Sequence, residues 1–214
     1  MIRLQTTALM AVLALGNLPV LAQDGKMPNG IYHSLEQLRT ARPDTDQVLR
    51  PVLRTSSDIA FNGGNDYRME SPGTSVPKKY LKKEIYAVVH NDSLFLNGAH
   101  LKLQTWYALA LTHGNFVVFR ACMTNGEAFN TALIGGAIAG AATAHQRHTY
   151  VLSLRTGNVR PLTPDYVEAR LKDFNNADLL AAFGNEPARD GDETLIRYLE
   201  KLNASIREED GPGR

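Results

Sequence analysis

From Glu84 to Met123 the chain alternates apolar and polar residues in short runs divided by turns of two to four residues. This pattern constrains the fold more than any other stretch. A period of two places alternate side chains on the same face of a strand. Turns this short join only antiparallel neighbours, because a parallel return needs a crossover of about a dozen residues or more. EIYAVVH sets Ile85, Ala87 and Val89 on one face, and Asn91-Asp92 turns the chain into SLFLN. HLKLQ alternates through Leu101 and Leu103, and TWYALALTH through Tyr107, Leu109 and Leu111. Gly114-Asn115 then leads into FVVFRACM. The reading is an antiparallel meander. A further hairpin follows in HTYVLSLRTGNVRPL, with Tyr150, Leu152 and Leu154 on one face and Thr156-Gly157-Asn158 at the turn.

The C-terminal third reads as helix. Thr163-Pro164 is an N-cap followed by proline at the first helical position, starting a helix to about Leu171. NADLLAAFG runs to Gly184, which has the character of a helix stop. Asp190 and Glu193 have capping spacing, and Leu195, Leu199, Leu202 and Ile206 form one stripe, with Ile196 beside it. Near the other end, Ser34 with Gln37 fits a capping box for a helix over residues 34–41, ended by Pro43. VLRPVLRTS reads as a strand, followed by polar DIAFNGGNDYR with a turn at residues 62–65 and a loop over residues 71–79. The predicted class is α+β: an antiparallel sheet packed against C-terminal helices, with a glycine-rich apolar insert. Residues 23–206 form one domain and residues 207–214 a disordered tail.

The insert, TALIGGAIAGAATA, carries small residues every four positions: Ala128, Ala132, Gly136, Gly140 and Ala144. On a helix that spacing makes a flat face open to close backbone approach or membrane packing. The uncharged stretch from Ala128 to Ala144 is 17 residues. At about 1.5 Å per residue it falls short of a hydrocarbon core of about 30 Å. Three readings stand: a buried helix on the sheet, an apolar connection, and a membrane or oligomer contact.

MIRLQTTALMAVLALGNLPVLAQDG has a basic start at Arg3, an apolar centre, and small residues before Gln23. That is the form of a secretory signal peptide over residues 1–22, cleaved after Ala22. The expected location is the periplasm or the exterior. Net charge is +1 over the whole chain, which excludes the basic footprint of a nucleic-acid binder. The single cysteine, Cys122, lies in an apolar strand and reads as a small buried hydrophobe. Lys78, Lys79, Lys82 and Lys83 precede the first clear strand and read as protection of a sheet edge, or as a patch for an anionic surface.

Motifs of known chemistry are missing. There is no phosphate loop, dinucleotide fingerprint, serine elbow or paired-cysteine metal site, and no cofactor or metal is expected. His145 and His148 have helical metal-ligand spacing but no neighbouring carboxylate, which favours a polar junction. His90, His100 and His113 sit near strand ends, where they would converge with Asp92 only in a particular strand order. Asp190-Gly191-Asp192-Glu193 is explained by helix capping. Tyr86, Phe95, Trp106 and Tyr107 line either a pocket or the core, and core packing is the default.

Gly30-Ile31-Tyr32 with SLEQLRTARPD, EIYAVV with LFLNG, FVVF before the insert, YVLSLRTGNVRPLTPDYV and IRYLEKLN together give a recognisable pattern. The chain resembles the uncharacterised secreted proteins common in Bacteroidetes. The resemblance implies an exported protein of unknown activity and transfers no functional residues. The functional reading is a non-enzymatic periplasmic or envelope module that binds an unknown protein or small ligand. Two alternatives are a membrane-associated or oligomeric protein using the insert, and a hydrolase with a histidine and a carboxylate.

Overall fold

A computed structural model describes residues 26–73, 75–123 and 146–209. The first half of the chain contains β1 (Gly30–Tyr32), α1 (Leu35–Arg39), β2 (Arg50–Leu53), α2 (Ser56–Asn62), β3 (Tyr67–Glu70) and α3 (Lys78–Lys83). Then come β4 (Ala87–His90), β5 (Ser93–Asn97), a 3-10 turn (Gly98–Leu101), β6 (Tyr107–Leu109) and β7 (Phe116–Cys122). The remainder is β8 (Arg147–Ser153), β9 (Val159–Pro161), α4 (Pro164–Asp173), α5 (Ala177–Gly184) and α6 (Asp192–Glu209).

The strands form two antiparallel sheets. One has six strands in the order β1-β4-β5-β6-β3-β2, the other three in the order β7-β8-β9. The α+β class is as expected, and β4-β5-β6 is the anticipated meander. Asn91 and Asp92 turn β4 into β5 with φ of 50° and 60°, the geometry of a two-residue primed turn. The meander does not continue into one sheet. β7 touches β6 through the bridge Ala110↔Phe119 and then departs to pair with β8 over seven residues.

Alternation explains the layering. Ala87, Val89, Leu94, Leu96 and Ala108 of the first sheet meet Val117, Phe119, Ala121, Tyr150 and Leu152 of the second in a shared core. The opposite face of the second sheet (Phe116, Val118, Val151) packs on the C-terminal helices, where Leu195, Leu199, Leu202 and Ile206 are all buried. The outer face of the first sheet (Ile31, Met69, Val88, Phe95, Tyr107) packs with Leu81 of α3 and Leu49. Phe116–Cys122 is thus apolar on both sides because it lies between two cores, as its nearly continuous burial shows.

Several expectations need correction. HLKLQ is not a strand: Gly98–Leu101 is a 3-10 turn, closed by Lys102 at φ 60°. DIAFN is helical in α2, with the Thr55 side chain accepting from the Asp58 amide. Lys78, Lys79, Lys82 and Lys83 lie on α3, over the face of the first sheet; its edges are β1 and β2. The last helix runs to Glu209, through the start of the expected tail. Gly184 is the final helical residue of α5 and Asn185 the cap. A Cβ at Gly184 meets nothing within 4 Å. Gly184→Ala is therefore expected to stabilise the fold by about 0.5–1 kcal/mol, read as a higher urea midpoint. The signal segment, the tail beyond residue 209 and the insert with Ala128, Ala132, Gly136, Gly140 and Ala144 lie outside the described residues. No helix among the described residues is long and apolar enough to cross a membrane.

Candidate functional site

Two polar regions stand out, and they differ in kind. The first is a knot between the sheets, built on Asn62-Gly63-Gly64-Asn65. Gly64 adopts φ 90°, and a Cβ there would lie 2.7 Å from the Thr105 carbonyl, so the close approach requires glycine. Asn65 is buried; its Nδ2 donates to the carbonyls of Gln104 (2.8 Å) and Trp106 (3.3 Å), and its Oδ1 accepts from the Cys122 amide (2.9 Å). Arg54 has a fully buried side chain that donates to Asp58 Oδ2 (2.7 Å) and to the carbonyls of Gly63 and Asn65 (both 2.8 Å). The Arg54 hydrogen bond first, and then that of Asn62 Nδ2 to Asp58 Oδ1 (2.7 Å), hold the Asp58 carboxyl below the usual carboxylate range.

Trp106 closes the knot. Its φ of 72° is rare for an aromatic residue and costs on the order of 1–3 kcal/mol. The surroundings hold it: Gly98 donates to its carbonyl at 2.9 Å, and the cations of Lys82 and Arg54 lie 4.4 and 5.5 Å from the ring centroid. Cys122 is buried as expected, and burial pushes its thiol up, away from the reactive thiolate. Each guanidinium nitrogen of Arg54 is bonded within the protein, so the knot is a joint rather than a binding site.

The second region is an open cleft of about 400 Å³ between the β8–β9 hairpin and α4. Ser153, Thr156 and Asn158 line it from the hairpin and its turn, Arg160 and Pro161 from β9, and Thr163, Tyr166 and Arg170 from α4. Local rules place these groups. The Thr163 hydroxyl accepts from the Tyr166 amide at 3.2 Å, setting the helix start at the cleft's rim. Tyr166 and Arg170, four residues apart, then share one helix face, with the guanidinium 5.3 Å from the ring centroid. Burial raises the Tyr166 phenol, while the nearby charges of Arg170 and Arg160 draw it back down. Arg170 Nη2 pairs with Asp173 at 3.0 Å, but its buried Nε has no hydrogen-bond partner within the protein. No carboxylate lines the cleft.

Among the described residues the histidines do not assemble as a metal set. Among the described residues no three potential ligands group around a common point. His148 stands on β8, not on a helix, and His145 lies outside the described residues. His100 packs on Tyr86, with ring centroids 5.6 Å apart. Tyr86, Phe95 and Tyr107 are buried in the core and do not line the cleft. Asp192 begins α6 and pairs with Arg120 at 3.5 Å, a structural role. The histidine–carboxylate contact that does form went unread in the sequence: His33 Nε2 lies 3.4 Å from Asp44 Oδ2, and its Nδ1 lies 3.1 Å from the Glu84 carbonyl. Both ring nitrogens face oxygens, so neither is open to a substrate.

His113 is half-buried, and its Nδ1 has no partner within the protein. Burial lowers its pKa from 6.5, Asp92 opposing and Arg207 assisting. The unfolded chain therefore takes up this proton first as pH falls. The associated stability is present above 6.5 and is lost as pH falls through the folded value. Between pH 7.5 and 5, the urea midpoint of the wild type should fall more than that of His113→Gln.

A family model described as a family of unknown function (DUF6563) matches residues 30–205. No curated protein and no solved structure matches the chain.

Proposed function

This chain belongs to DUF6563, a family of unknown function, and from that starting point we propose that it is an exported, non-enzymatic module that binds a small ligand in the β8–β9/α4 cleft. One observation carries the reading: a concave site of about 400 Å³ where hydroxyl, amide, phenol and guanidinium groups converge. That volume lies in the range of small-molecule sites, and a few fixed polar groups are what such sites use to orient a ligand. Export is supported by the apolar, small-residue-terminated N-terminus and by the resemblance to secreted proteins of Bacteroidetes. The periplasm or envelope is the proposed setting.

Two measurements test this. The protein recovered from the producing cell's envelope fraction should begin at Gln23 by N-terminal sequencing; retention of Met1 there would count against cleavage. A thermal-shift screen of small charged and neutral solutes should give hits on the wild type that disappear in Asn158→Trp, which fills the cleft mouth. Hits that survive this substitution would move binding elsewhere, and an absence of hits would end the reading.

A further inference from the structure

The chemistry of the cleft names a class of ligand, and this step rests on the binding role proposed above. Arg160 and Arg170 both line the cleft beside Tyr166, and the Arg170 guanidinium lies 5.3 Å from the Tyr166 ring centroid. Arg160 forms no ion pair among the described residues. Arg170 spends one terminal nitrogen on Asp173 at 3.0 Å, and its side chain is about one-third exposed. No Asp or Glu is among the lining residues; Asp173 offsets Arg170 from outside the cleft, which leaves Arg160 as the uncompensated charge. A concavity lined by cations without carboxylates favours an oxyanion, and guanidinium is the side chain that matches carboxylate and phosphate geometry.

The rest of the lining is not that of a bare ion site. Ser153, Thr156 and Asn158 contribute short polar groups from the hairpin and Thr163 one from the start of α4, and Pro161 with the Tyr166 ring contributes apolar surface. A single phosphate or carboxylate would leave most of about 400 Å³ unfilled. A ring bearing hydroxyls fits the mixture: its hydroxyls exchange hydrogen bonds with the Ser, Thr and Asn groups, and its C–H faces meet Pro161 and Tyr166.

We propose that the cleft between the β8–β9 hairpin and α4 binds an acidic sugar, its oxyanion held by Arg160 and Arg170 and its hydroxyls by Ser153, Thr156 and Asn158. Carboxylate and phosphate share the required chemistry, and the test separates them.

Galacturonate, galactose 6-phosphate, galactose and inorganic phosphate serve as probes in titration calorimetry with the full mature chain. At least one acidic sugar should bind tenfold or more tighter than galactose, and tighter than inorganic phosphate. Its affinity should fall as salt rises from 50 to 300 mM, since the site is open to solvent. The better acid identifies the oxyanion. Arg160→Gln, at an exposed position, should remove most of the preference over galactose while leaving the fold intact. Arg170→Gln should do the same, with circular dichroism checking that α4 survives the loss of the Tyr166 and Asp173 contacts. Equal affinity for galactose and the acids would overturn the anionic assignment while leaving a sugar-binding cleft. Inorganic phosphate binding as tightly as the acidic sugars would overturn the sugar assignment. Acid binding unchanged by Arg160→Gln, or no binding by any probe, would overturn the proposal, and the wider solute screen then decides separately whether the cleft binds anything.

Discussion

Asn65→Ala is expected to lower the unfolding free energy by about 3 kcal/mol, a fall of roughly 6–12 °C in the thermal midpoint for a chain of this size. The residue is 1 % exposed. Its Nδ2 serves the carbonyls of Gln104 and Trp106, and its Oδ1 serves the Cys122 amide. Truncation leaves the amide without its acceptor and both carbonyls without that donor. A lost hydrogen bond alone costs about 1 kcal/mol, and an orphaned buried group costs about 1–3 kcal/mol. The Cys122 bond also crosses from the first sheet's loops to β7, so the loss is felt between the sheets. Urea unfolding with an unchanged slope would measure it. A change under 0.5 kcal/mol would show that the knot relaxes around the gap.

Asn203→Ala should cost a similar amount, about 3 kcal/mol, at the opposite end of β7. Asn203 is also 1 % exposed. Its Oδ1 accepts from the Phe116 amide at 2.9 Å, and its Nδ2 donates to the carbonyls of Phe116 (2.8 Å) and His113 (3.2 Å). These bonds seat α6 on the first residue of β7. Because Asn65 and Asn203 share no partner, the double variant should lose the sum of the two costs within about 0.5 kcal/mol. A markedly smaller total would show that the two ends of β7 communicate. Asn203→Asp is a useful companion: it keeps the acceptor for Phe116 but removes both donors and buries a charge, so it should be no more stable than the alanine variant.

How far the sequence discloses such features depends on whether their causes are local. The strands around Asn91-Asp92 and Thr156-Gly157-Asn158 were readable because alternation and turn chemistry act over a few residues. The stripe Leu195, Leu199, Leu202 and Ile206 was readable for the same reason, and all four are buried. α2 and α3 were not, because each buries a single residue, Ile59 and Leu81. α3 is held from outside itself: Asn97 Nδ2 donates to the Ile85 carbonyl at 2.7 Å and the Lys82 carbonyl at 3.1 Å, and Tyr107 Oη donates to the Leu81 carbonyl at 2.6 Å. HLKLQ misled because Leu101 and Leu103 are two apart, yet Lys102 between them takes a left-handed conformation that no periodicity signals. The division into two sheets depends on contacts far apart in sequence.

The cleft shows the same limit. Its lining residues fall within residues 153–170, and the sequence marked Thr163 as a cap and Thr156 to Asn158 as a turn. What it did not show is that the hairpin folds toward the helix face carrying Tyr166 and Arg170, which brings Arg160 to them. His33 and Asp44 meet because Ile31 and Asp44 exchange backbone hydrogen bonds of 2.8 and 2.7 Å, a bridge with no pattern in the intervening residues.

The sheet borders carry a consequence for how this protein would aggregate. β2 and β9 each contain a proline, Pro51 and Pro161, that has no amide to offer an incoming strand. β1 is already bridged by Asp44, immediately after Pro43, and β7 is joined to β6. Among the described residues no sheet border is a long, open template for fibre growth. Self-association through strand addition must then begin from opened molecules, and its rate should follow the unfolded fraction rather than total concentration of native protein. By that logic Asn65 and Asn203 set the protein's shelf life as well as its melting point.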